Sequence, residues 1–370
     1  MVMRLHYHIK PLSTALAGTR RFRSAVLRRK TRLPVRTDAG ILRLPQLSQP
    51  AFSNQNSRQV MKPSLLVLIP LDEDSLADIS ASFDLIHAPT PTQRTEAIAR
   101  HGDAIRAVLT NGTTGLTADE IDRLVQLEFV SALGAGYENI ALDHARARGI
   151  VTVNGAGAND SCVADHAFAL LLAVVRDVPQ RDRATREGVW RDALPMRPAV
   201  SGKRLGIVGL GNIGEKVARR AAGFDLETGY HNRKPREGAA SRYFDSVLSL
   251  AQWSDYLVVT TPGGAPTRHL IDRAVLDALG PAGFLVNVSR GSVVDTAALA
   301  AALKAGAIAG AGLDVYESEP HPPEALIALP NVVLTPHVGG TSPESVAATV
   351  RNFIDNATRH FAGEPVLTPI

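Results

Sequence analysis

The sequence contains one cysteine, Cys162, among 370 residues. A single thiol cannot form an internal disulfide or a cysteine-based metal site, so we expect no bound metal and a reducing compartment, the cytoplasm. Long apolar runs are also missing. The longest, residues 167–175, has nine residues, whereas a helix needs about 20 to cross a bilayer. We therefore expect a buried helix there and no membrane span.

Acidic residues are almost absent from the N-terminal segment. Residues 1–60 hold 12 Lys and Arg but one acid, Asp38, whereas the rest of the chain holds 28 basic and 35 acidic side chains. The net charge of +4 therefore combines +11 in this segment with −7 elsewhere. The pI of 9.3 consequently gives no reason to expect nucleic-acid binding by the folded part of the chain.

Three interpretations of residues 1–61 stay open. Their Arg- and Ser-rich, acid-poor composition is typical of a transit peptide, and also of a disordered arm that binds nucleic acid. We favour a third interpretation, in which this basic extension is disordered or non-native and precedes a true start at Met61. The reason is that Met61-Lys-Pro-Ser leads directly into the first expected strand.

Short apolar runs alternate with amphipathic segments after residue 64, which is the pattern of an α/β fold. Five strands are expected first, at residues 65–71, 83–88, 104–110, 129–133 and 150–154. Between them we predict helices such as 117–126, in which Thr117 caps the N-terminus and Ile121, Leu124 and Val125 face inward. These elements predict a flavodoxin-like parallel sheet.

A second series of strands follows from residue 204 onward. Six are expected, at residues 204–209, 227–232, 256–261, 284–289, 309–315 and 332–336. Asp295 is expected to cap a helix over 296–305 that ends at Gly306. Six parallel strands with crossover helices predict a complete Rossmann domain.

The order of these elements predicts a discontinuous domain. Residues 154–160 have the composition of a hinge loop and precede an apolar helix over 162–176, and a last helix, 344–361, is expected to return to the first unit. We predict α/β architecture with a Rossmann cofactor domain, 161–340, inserted in a flavodoxin-like substrate domain. The two parts of the substrate domain are 62–160 and 341–370. Such a pair of domains suggests a cleft that closes at the hinge.

A glycine motif, Gly209-Leu-Gly211-Asn212-Ile213-Gly214, lies between the first strand of the second series and a helix expected over 213–224. The first glycine allows a tight turn, the second lets the backbone approach a pyrophosphate, and the third lets helix and strand pack closely. The helix N-terminus then faces the phosphates. This context favours a dinucleotide site over a Gly-rich turn without function.

The residues after the next strand bear on the choice of dinucleotide. An acid that would hold the ribose hydroxyls is expected about 20 residues after the motif, but the sequence there is His231-Asn232-Arg233-Lys234. Guanidinium and ammonium groups suit the 2′-phosphate of NADPH, so we expect NADPH to be preferred, with NADH possible. The alternative is an ordinary solvated turn.

Three loops that follow strands of the second series carry a combination of reactive side chains. They contain Arg290 after Val288, Glu319 after Asp314, and His337 before Gly339. An Arg can bind a carboxylate and polarise a ketone, a His can deliver a proton, and a Glu can orient that His. Separately, these residues could be a surface cation, a helix-cap acid and a loop histidine. Together at one cofactor fold they predict a catalytic set.

From about Lys62 to the C-terminus the chain resembles the D-isomer-specific 2-hydroxyacid dehydrogenases. Beside the glycine motif, the resemblance rests on Gly134-Ala-Gly-Tyr-Glu-Asn-Ile140, Val163-Ala-Asp-His166, Asn287-Val-Ser-Arg-Gly291 with Asp295, Gly312-Leu-Asp-Val-Tyr-Glu-Ser-Glu-Pro320 and Thr335-Pro-His-Val-Gly-Gly340. It implies that Arg290, Glu319 and His337 are catalytic. It implies further cofactor contacts at Thr261, Pro262, Val288, Asp314 and Gly339, and substrate contacts at Asn111, Gly134, Ala135, Gly136 and Arg290.

Within this family, the Asn232–Lys234 turn and Thr261-Pro-Gly-Gly264 are similar to NADPH-dependent glyoxylate/hydroxypyruvate and 2-ketoacid or ketogluconate reductases. The resemblance implies a homodimer that reduces a small 2-oxo acid to the D-2-hydroxy acid, and it leaves the preferred 2-oxo acid open. Glu138 and Asp165 stand where Asp and Glu are more usual, and both keep the charge. The alternatives are a dinucleotide-sensing, corepressor-like regulator, a nucleic-acid-binding protein with the basic extension as its arm, and a dehydrogenase of another small anion.

Overall fold

The computed structural model describes residues 62–370, which contain two parallel β-sheets. The three interpretations of residues 1–61 lie outside the described residues. Within 62–370, no helix combines the length and the hydropathy that crossing a bilayer requires.

The first sheet has the strand order β2-β1-β3-β4-β5. Its strands are β1 (Ser64–Val67), β2 (Asp84–His87), β3 (Ala107–Thr110), β4 (Phe129–Ala132) and β5 (Val151–Asn154). Its helices are α1 (Glu73–Ser80), α2 (Pro91–His101), α3 (Ala118–Arg123) and α4 (Leu142–Ala147). Thr90 and Thr117 start α2 and α3 with reciprocal capping boxes that satisfy exposed amides of the first turn.

The second sheet has the order β12-β11-β10-β9-β6-β7-β8. Its strands are β6 (Arg204–Val208), β7 (Glu227–His231), β8 (Arg242–Phe244), β9 (Tyr256–Val259), β10 (Phe284–Asn287), β11 (Gly310–Leu313) and β12 (Val332–Leu334). Its helices are α5 (Asp160–Arg176), α6 (Val178–Arg186), α7 (Asn212–Ala221), α8 (Val247–Trp253), α9 (Arg273–Leu279) and α10 (Thr296–Ala305). Every pairing is parallel, so the loops after these strands meet at one edge.

The last helix, α11 (Pro343–Phe361), packs on the first sheet rather than the second. Its buried residues Val350, Phe353 and Ala357 share a core with β1 and β4. The long helix α5 instead buries its apolar face against the second sheet. The chain thus crosses between the sheets twice, near residues 155–160 and 340–342. The fold class is confirmed: two parallel-sheet α/β units, with the second inserted in the first.

Two details of the expected elements are wrong. The second sheet has seven strands because β8 adds an edge strand beside β7, and at three residues β8 is too short to show a strand period. Helix α3 ends at Arg123, since Leu124 leaves helical geometry with φ −97° and ψ 79°. Val125 is therefore turned outward and is 63% exposed, not inward as expected.

Several element ends also differ from the sequence expectation, by two to four residues. The first strand stops at Val67, β3 starts at Ala107, and α5 starts at Asp160 within the expected hinge loop. The helix after the glycine motif ends at Ala221 and continues as a short 3₁₀ turn to Phe224. Asp295 caps α10 and Gly306 ends it in the left-handed region, both as expected.

Candidate active site

A cleft of about 290 Å³ lies where loops of the two sheets meet. Its lining residues come from three regions. The first sheet contributes Asn111, Gly112, Thr113 and Leu133–Gly136; the second contributes Ile213, Val288, Arg290, Asp314, His337 and Gly339; the two crossings with the flanking ends of α5 and α11 contribute Asn159, Val163, Gly340, Thr341, Val346 and Thr349. The cleft thus brings together all of the expected substrate residues and the expected catalytic residues Arg290 and His337. Of the expected cofactor residues it includes Ile213, Val288, Asp314 and Gly339, whereas the glycines of the motif, the Asn232–Lys234 turn, Thr261, Pro262 and Glu319 do not line it.

The glycine motif forms a tight turn between β6 and α7. Gly209 has φ +100°, which favours glycine, and a Cβ there would lie 2.9 Å from the backbone nitrogen of Thr261. A Cβ at Gly214 would lie 2.4 Å from the carbonyl oxygen of Gly209, whereas the space beside Gly211 is open. The three glycines therefore have the geometry expected of a turn that a pyrophosphate approaches at Gly211.

The surroundings of this turn fit a dinucleotide. Helix α7 has ten residues and begins at Asn212, so its first amides face the turn. The hydroxyl oxygen of Thr261 is buried with no hydrogen-bond partner among the described residues, which leaves it available to a bound group. The carbonyl of Pro262 accepts a hydrogen bond from Thr267 at 2.8 Å and so shapes the same loop.

The side chains that follow β7 differ in what they contact. Arg233 and Lys234 are exposed. The side chain of Asn232 instead accepts a hydrogen bond from the amide of Leu210 at 2.7 Å and holds the glycine turn. Arg236, to which the sequence analysis assigned no role, donates to the carbonyl of Leu210 at 3.0 Å. The sequence signal that could have indicated Arg236 is its position as a third cation, two residues after Lys234.

His337 is held in place by Glu319. Nδ1 of His337 and Oε2 of Glu319 are 2.8 Å apart, and the other carboxylate oxygen accepts from the Tyr316 amide at 2.8 Å. Burial raises the pKa of the Glu319 carboxyl, but the hydrogen bonds and charges around it, chiefly from His337 and the Tyr316 amide, outweigh burial, so this pKa lies below its usual value. Glu319 is consequently a carboxylate at neutral pH, suited to orienting the imidazole.

Asp314 organises the loop that carries His337. Its carboxylate accepts hydrogen bonds from the Thr335 hydroxyl at 2.7 Å, the Val338 amide at 2.9 Å and the Gly339 amide at 2.8 Å. His166 also approaches it, with Nε2 at 3.3 Å from Oδ1. Asp314 is only 2% exposed, and burying a carboxylate is costly without such partners. Thr335 and His166 stand within the family motifs, but no role was expected for either of them from the sequence.

Arg290 faces the loop after β4. Its Nη1 donates to the Ser289 carbonyl at 2.6 Å, and its Nε lies 2.8 Å from Oε1 of Glu138. A Cβ at Gly136 would lie 1.7 Å from Nη2 of Arg290, so the guanidinium rests directly on this glycine. A carboxylate placed there could contact both the guanidinium and nearby loop amides.

Two further substrate-loop residues contribute to loop shape. The side chain of Asn111 accepts from the Thr114 amide at 2.7 Å, and the carbonyl of Ala135 accepts from Asn154 at 2.8 Å. Gly134 has open space where a side chain would be. No group of three or more His, Cys, Asp or Glu side chains within 62–370 is arranged to hold a metal ion.

A family model described as "D-isomer specific 2-hydroxyacid dehydrogenase, NAD binding domain" matches residues 168–339. Glyoxylate/hydroxypyruvate reductase A of Arabidopsis thaliana is 38% identical over 307 residues, covering 83% of this chain and 98% of that protein. The 2-ketogluconate reductase of Gluconobacter oxydans is 37% identical over 310 residues, covering 84% of this chain and 99% of that protein.

Solved structures agree. An NADPH-dependent glyoxylate/hydroxypyruvate reductase of Sinorhizobium meliloti, crystallised with NADP and malonate, superposes with a TM-score of 0.75 at 37% identity. The match covers 84% of this chain and 97% of that one. With its nicotinamide-dinucleotide domain and the relatives' activities, this chain belongs to the D-isomer-specific 2-hydroxyacid dehydrogenases, a family of NAD(P)-dependent oxidoreductases.

Proposed function

We propose that this protein reduces a small 2-oxo acid, such as glyoxylate or hydroxypyruvate, to the D-2-hydroxy acid with NADPH as the preferred reductant. One observation carries the proposal: Arg290 and His337 line the same cleft, and His337 is paired with Glu319. An anion-binding guanidinium beside an oriented imidazole suits a substrate that has both a carboxylate and a ketone.

The proposed roles follow from these contacts. Arg290 and the Gly134–Gly136 loop bind the substrate carboxylate, with Asn111 at the other end of the site. His337, held by Glu319, donates a proton to the developing alkoxide at the ketone oxygen. Closure of the cleft, by movement of the substrate domain (62–160 and 341–370) against the cofactor domain (161–340), excludes water and aligns the reactants.

The cofactor roles complete the proposal. The cofactor, when bound, supplies the hydride that reduces the ketone carbon. Gly209, Gly211, Asn212, Ile213 and Gly214 hold its pyrophosphate, and Thr261, Pro262, Val288, Asp314 and Gly339 surround the nicotinamide end. Arg233 and Lys234 bind the 2′-phosphate, while Asn232 holds the turn beside them. The relative from Sinorhizobium meliloti is NADPH-dependent, which supports this preference.

The proposed assembly is a cytoplasmic homodimer. Trp190 is 68% exposed and Met196 is 99% exposed, both in the segment between α6 and β6. Large apolar side chains exposed together are typical of protein interfaces. A second copy of the chain is the partner that family resemblance implies.

Initial rates with glyoxylate, hydroxypyruvate, pyruvate, 2-ketogluconate and phenylpyruvate, each with NADPH and with NADH, test the proposal. We expect turnover of at least one small 2-oxo acid and a higher kcat/KM with NADPH. Tight NADPH binding without turnover of any of these acids would instead favour the dinucleotide-sensing regulator. Turnover of a small anion that is not a 2-oxo acid would favour a dehydrogenase of another substrate on the same scaffold.

A further inference from the structure

An ion pair crosses the cleft between the loop after β4 and the loop after β10. Oε1 of Glu138 lies 2.8 Å from Nε of Arg290, and the two side chains are 25% and 31% exposed. The partners therefore come from different sheets. This pair draws together the two loops that are proposed to bind the substrate carboxylate.

Three glycines from three loops leave the room that the ion pair occupies. A Cβ at Gly112 would lie 2.4 Å from Oε2 of Glu138. A Cβ at Gly263 would lie 2.7 Å from Cγ of Arg290, and the guanidinium rests on Gly136. Because these distances are shorter than real Cβ contacts, side chains at the three positions would displace the pair. The cradle is thus shaped for both side chains.

Two nitrogens of the guanidinium have partners. Nε forms an ion pair with Oε1 of Glu138 at 2.8 Å, and Nη1 donates a hydrogen bond to the carbonyl of Ser289 at 2.6 Å. Nη2 remains beside Gly136. Since the guanidinium is planar and two of its three nitrogens are engaged, its orientation toward the cleft is defined.

We propose that Glu138 is a positioning residue that holds Arg290 with Nη2 toward the Gly134–Gly136 loop, where the carboxylate of the 2-oxo acid binds. The inference rests on the proposed function, because it assigns Arg290 to substrate binding. The opposite role would be competition, in which Glu138 withholds Arg290 from the substrate. The contact of Glu138 at Nε, with Nη2 lying against Gly136 of the substrate loop, favours positioning.

Steady-state kinetics of Glu138→Ala, Glu138→Asp and Glu138→Gln separate the two roles. Positioning predicts that Glu138→Ala lowers kcat/KM for the oxo acid by about 10-fold to 100-fold, since small displacements of a binding group are costly. Glu138→Asp, which keeps the charge one methylene back, and Glu138→Gln, which keeps an acceptor oxygen, should each recover part of the loss. The Kd for NADPH, measured by fluorescence, should not change.

Glu128→Gln is the matched control. Glu128 precedes β4, at the end of that strand opposite to Glu138; it pairs with Arg106, which precedes β3, and is also partly exposed. This control should leave kcat/KM for the oxo acid unchanged. Thermal unfolding of every variant shows whether a loss of activity reflects loss of folded protein, and where Glu138→Ala is unfolded the Asp and Gln variants decide.

An unchanged or increased kcat/KM in folded Glu138→Ala would overturn the positioning role, and an increase would identify Glu138 as a competitor. An equal loss of NADPH affinity would also overturn it, because the effect would not be confined to the substrate site. Failure of the proposed function is distinguishable: the wild-type protein would then reduce none of the oxo acids.

Discussion

Nδ1 of His337 lies 2.8 Å from Oε2 of Glu319, although 18 residues separate them in the chain. His337 adopts φ +54°, a conformation that non-glycine residues seldom adopt. Its amide donates to the carbonyl of Asp314 at 2.8 Å. These contacts thus fix both the backbone and the imidazole of His337, and a proton donor must be held in a defined orientation.

We predict that His337→Ala lowers kcat by about 10²-fold to 10⁴-fold while the Kd for NADPH changes little, because general acid catalysis contributes on that scale. His321→Ala is the control, since His321 is an exposed histidine two residues after Glu319. Near-wild-type kcat in His337→Ala would remove His337 from its assigned role.

Cofactor choice is predicted to depend on Arg233. Arg233→Ala should reduce kcat/KM with NADPH by about 10-fold to 150-fold, the range of a charged hydrogen bond of roughly 1.5–3 kcal/mol, and leave NADH nearly unaffected. Arg219→Ala, which removes an exposed cation from α7, is the control. Equal losses for both cofactors, or a wild-type preference for NADH, would contradict the assignment of the 2′-phosphate site.

The basic extension is predicted to be dispensable for the reaction. Its net charge of +11 over residues 1–60 and its lack of sustained apolar periodicity give it little to add to a core. A chain that starts at Met61 should fold and have the same kcat/KM as the full chain. Insoluble or inactive protein would show that the extension is needed for the fold.

Stability is predicted to depend on the ion pair of Glu120 with Arg94, which also donates to the carbonyls of Thr114 and Gly115 beside the cleft. Burial raises the pKa of Glu120, but hydrogen bonds from Arg94 and Thr117 outweigh it and lower this pKa. A depressed carboxyl pKa stabilises the fold above the unfolded value and ceases to do so as the pH falls through the folded value.

Glu120→Gln keeps the capping geometry and removes the charge. It should therefore lower the free energy of unfolding by about 1 kcal/mol above roughly pH 5, and this difference should shrink as the pH falls below the unfolded pKa and disappear below the lowered pKa of the folded protein. Urea unfolding across this range measures it. Glu96→Gln, which breaks an exposed pair with Arg100, should have almost no effect. A difference that is independent of pH would show that the charge of Glu120 is not responsible.

The assembly is predicted to depend on Trp190. The wild-type protein should run as a dimer in light scattering, and Trp190→Glu should shift it toward monomer, because a charge placed in an apolar interface is left without a partner. Val125→Glu, which alters an exposed apolar residue of the first unit, should remain a dimer. A monomeric wild type at micromolar concentration would contradict the proposed homodimer.

The order of the elements and the location of the cofactor turn could be predicted from the amino-acid sequence alone. Apolar periodicity, caps such as Asp295 and the spacing of Gly209, Gly211 and Gly214 are local signals, so they can be recognised without knowing what packs where. The family motifs also identified Arg290, Glu319 and His337 as neighbours in a site. The ends of elements were less certain, as Val125 and β8 show, because tertiary packing decides where a helix stops and whether a short edge strand pairs.

For several charged groups the partner became known only from the fold. In the sequence, Glu138 is only a charged residue of a glycine-rich motif. The fold places it against Arg290, which follows it by 152 positions. Arg236 and His166 likewise contact the Leu210 carbonyl and Asp314 through space. Such contacts depend on distances of a few ångströms between loops of different strands, and charges interact through distance rather than order in the chain. Local periodicity therefore specifies the scaffold, whereas the packing of the two sheets specifies the electrostatics of the cleft.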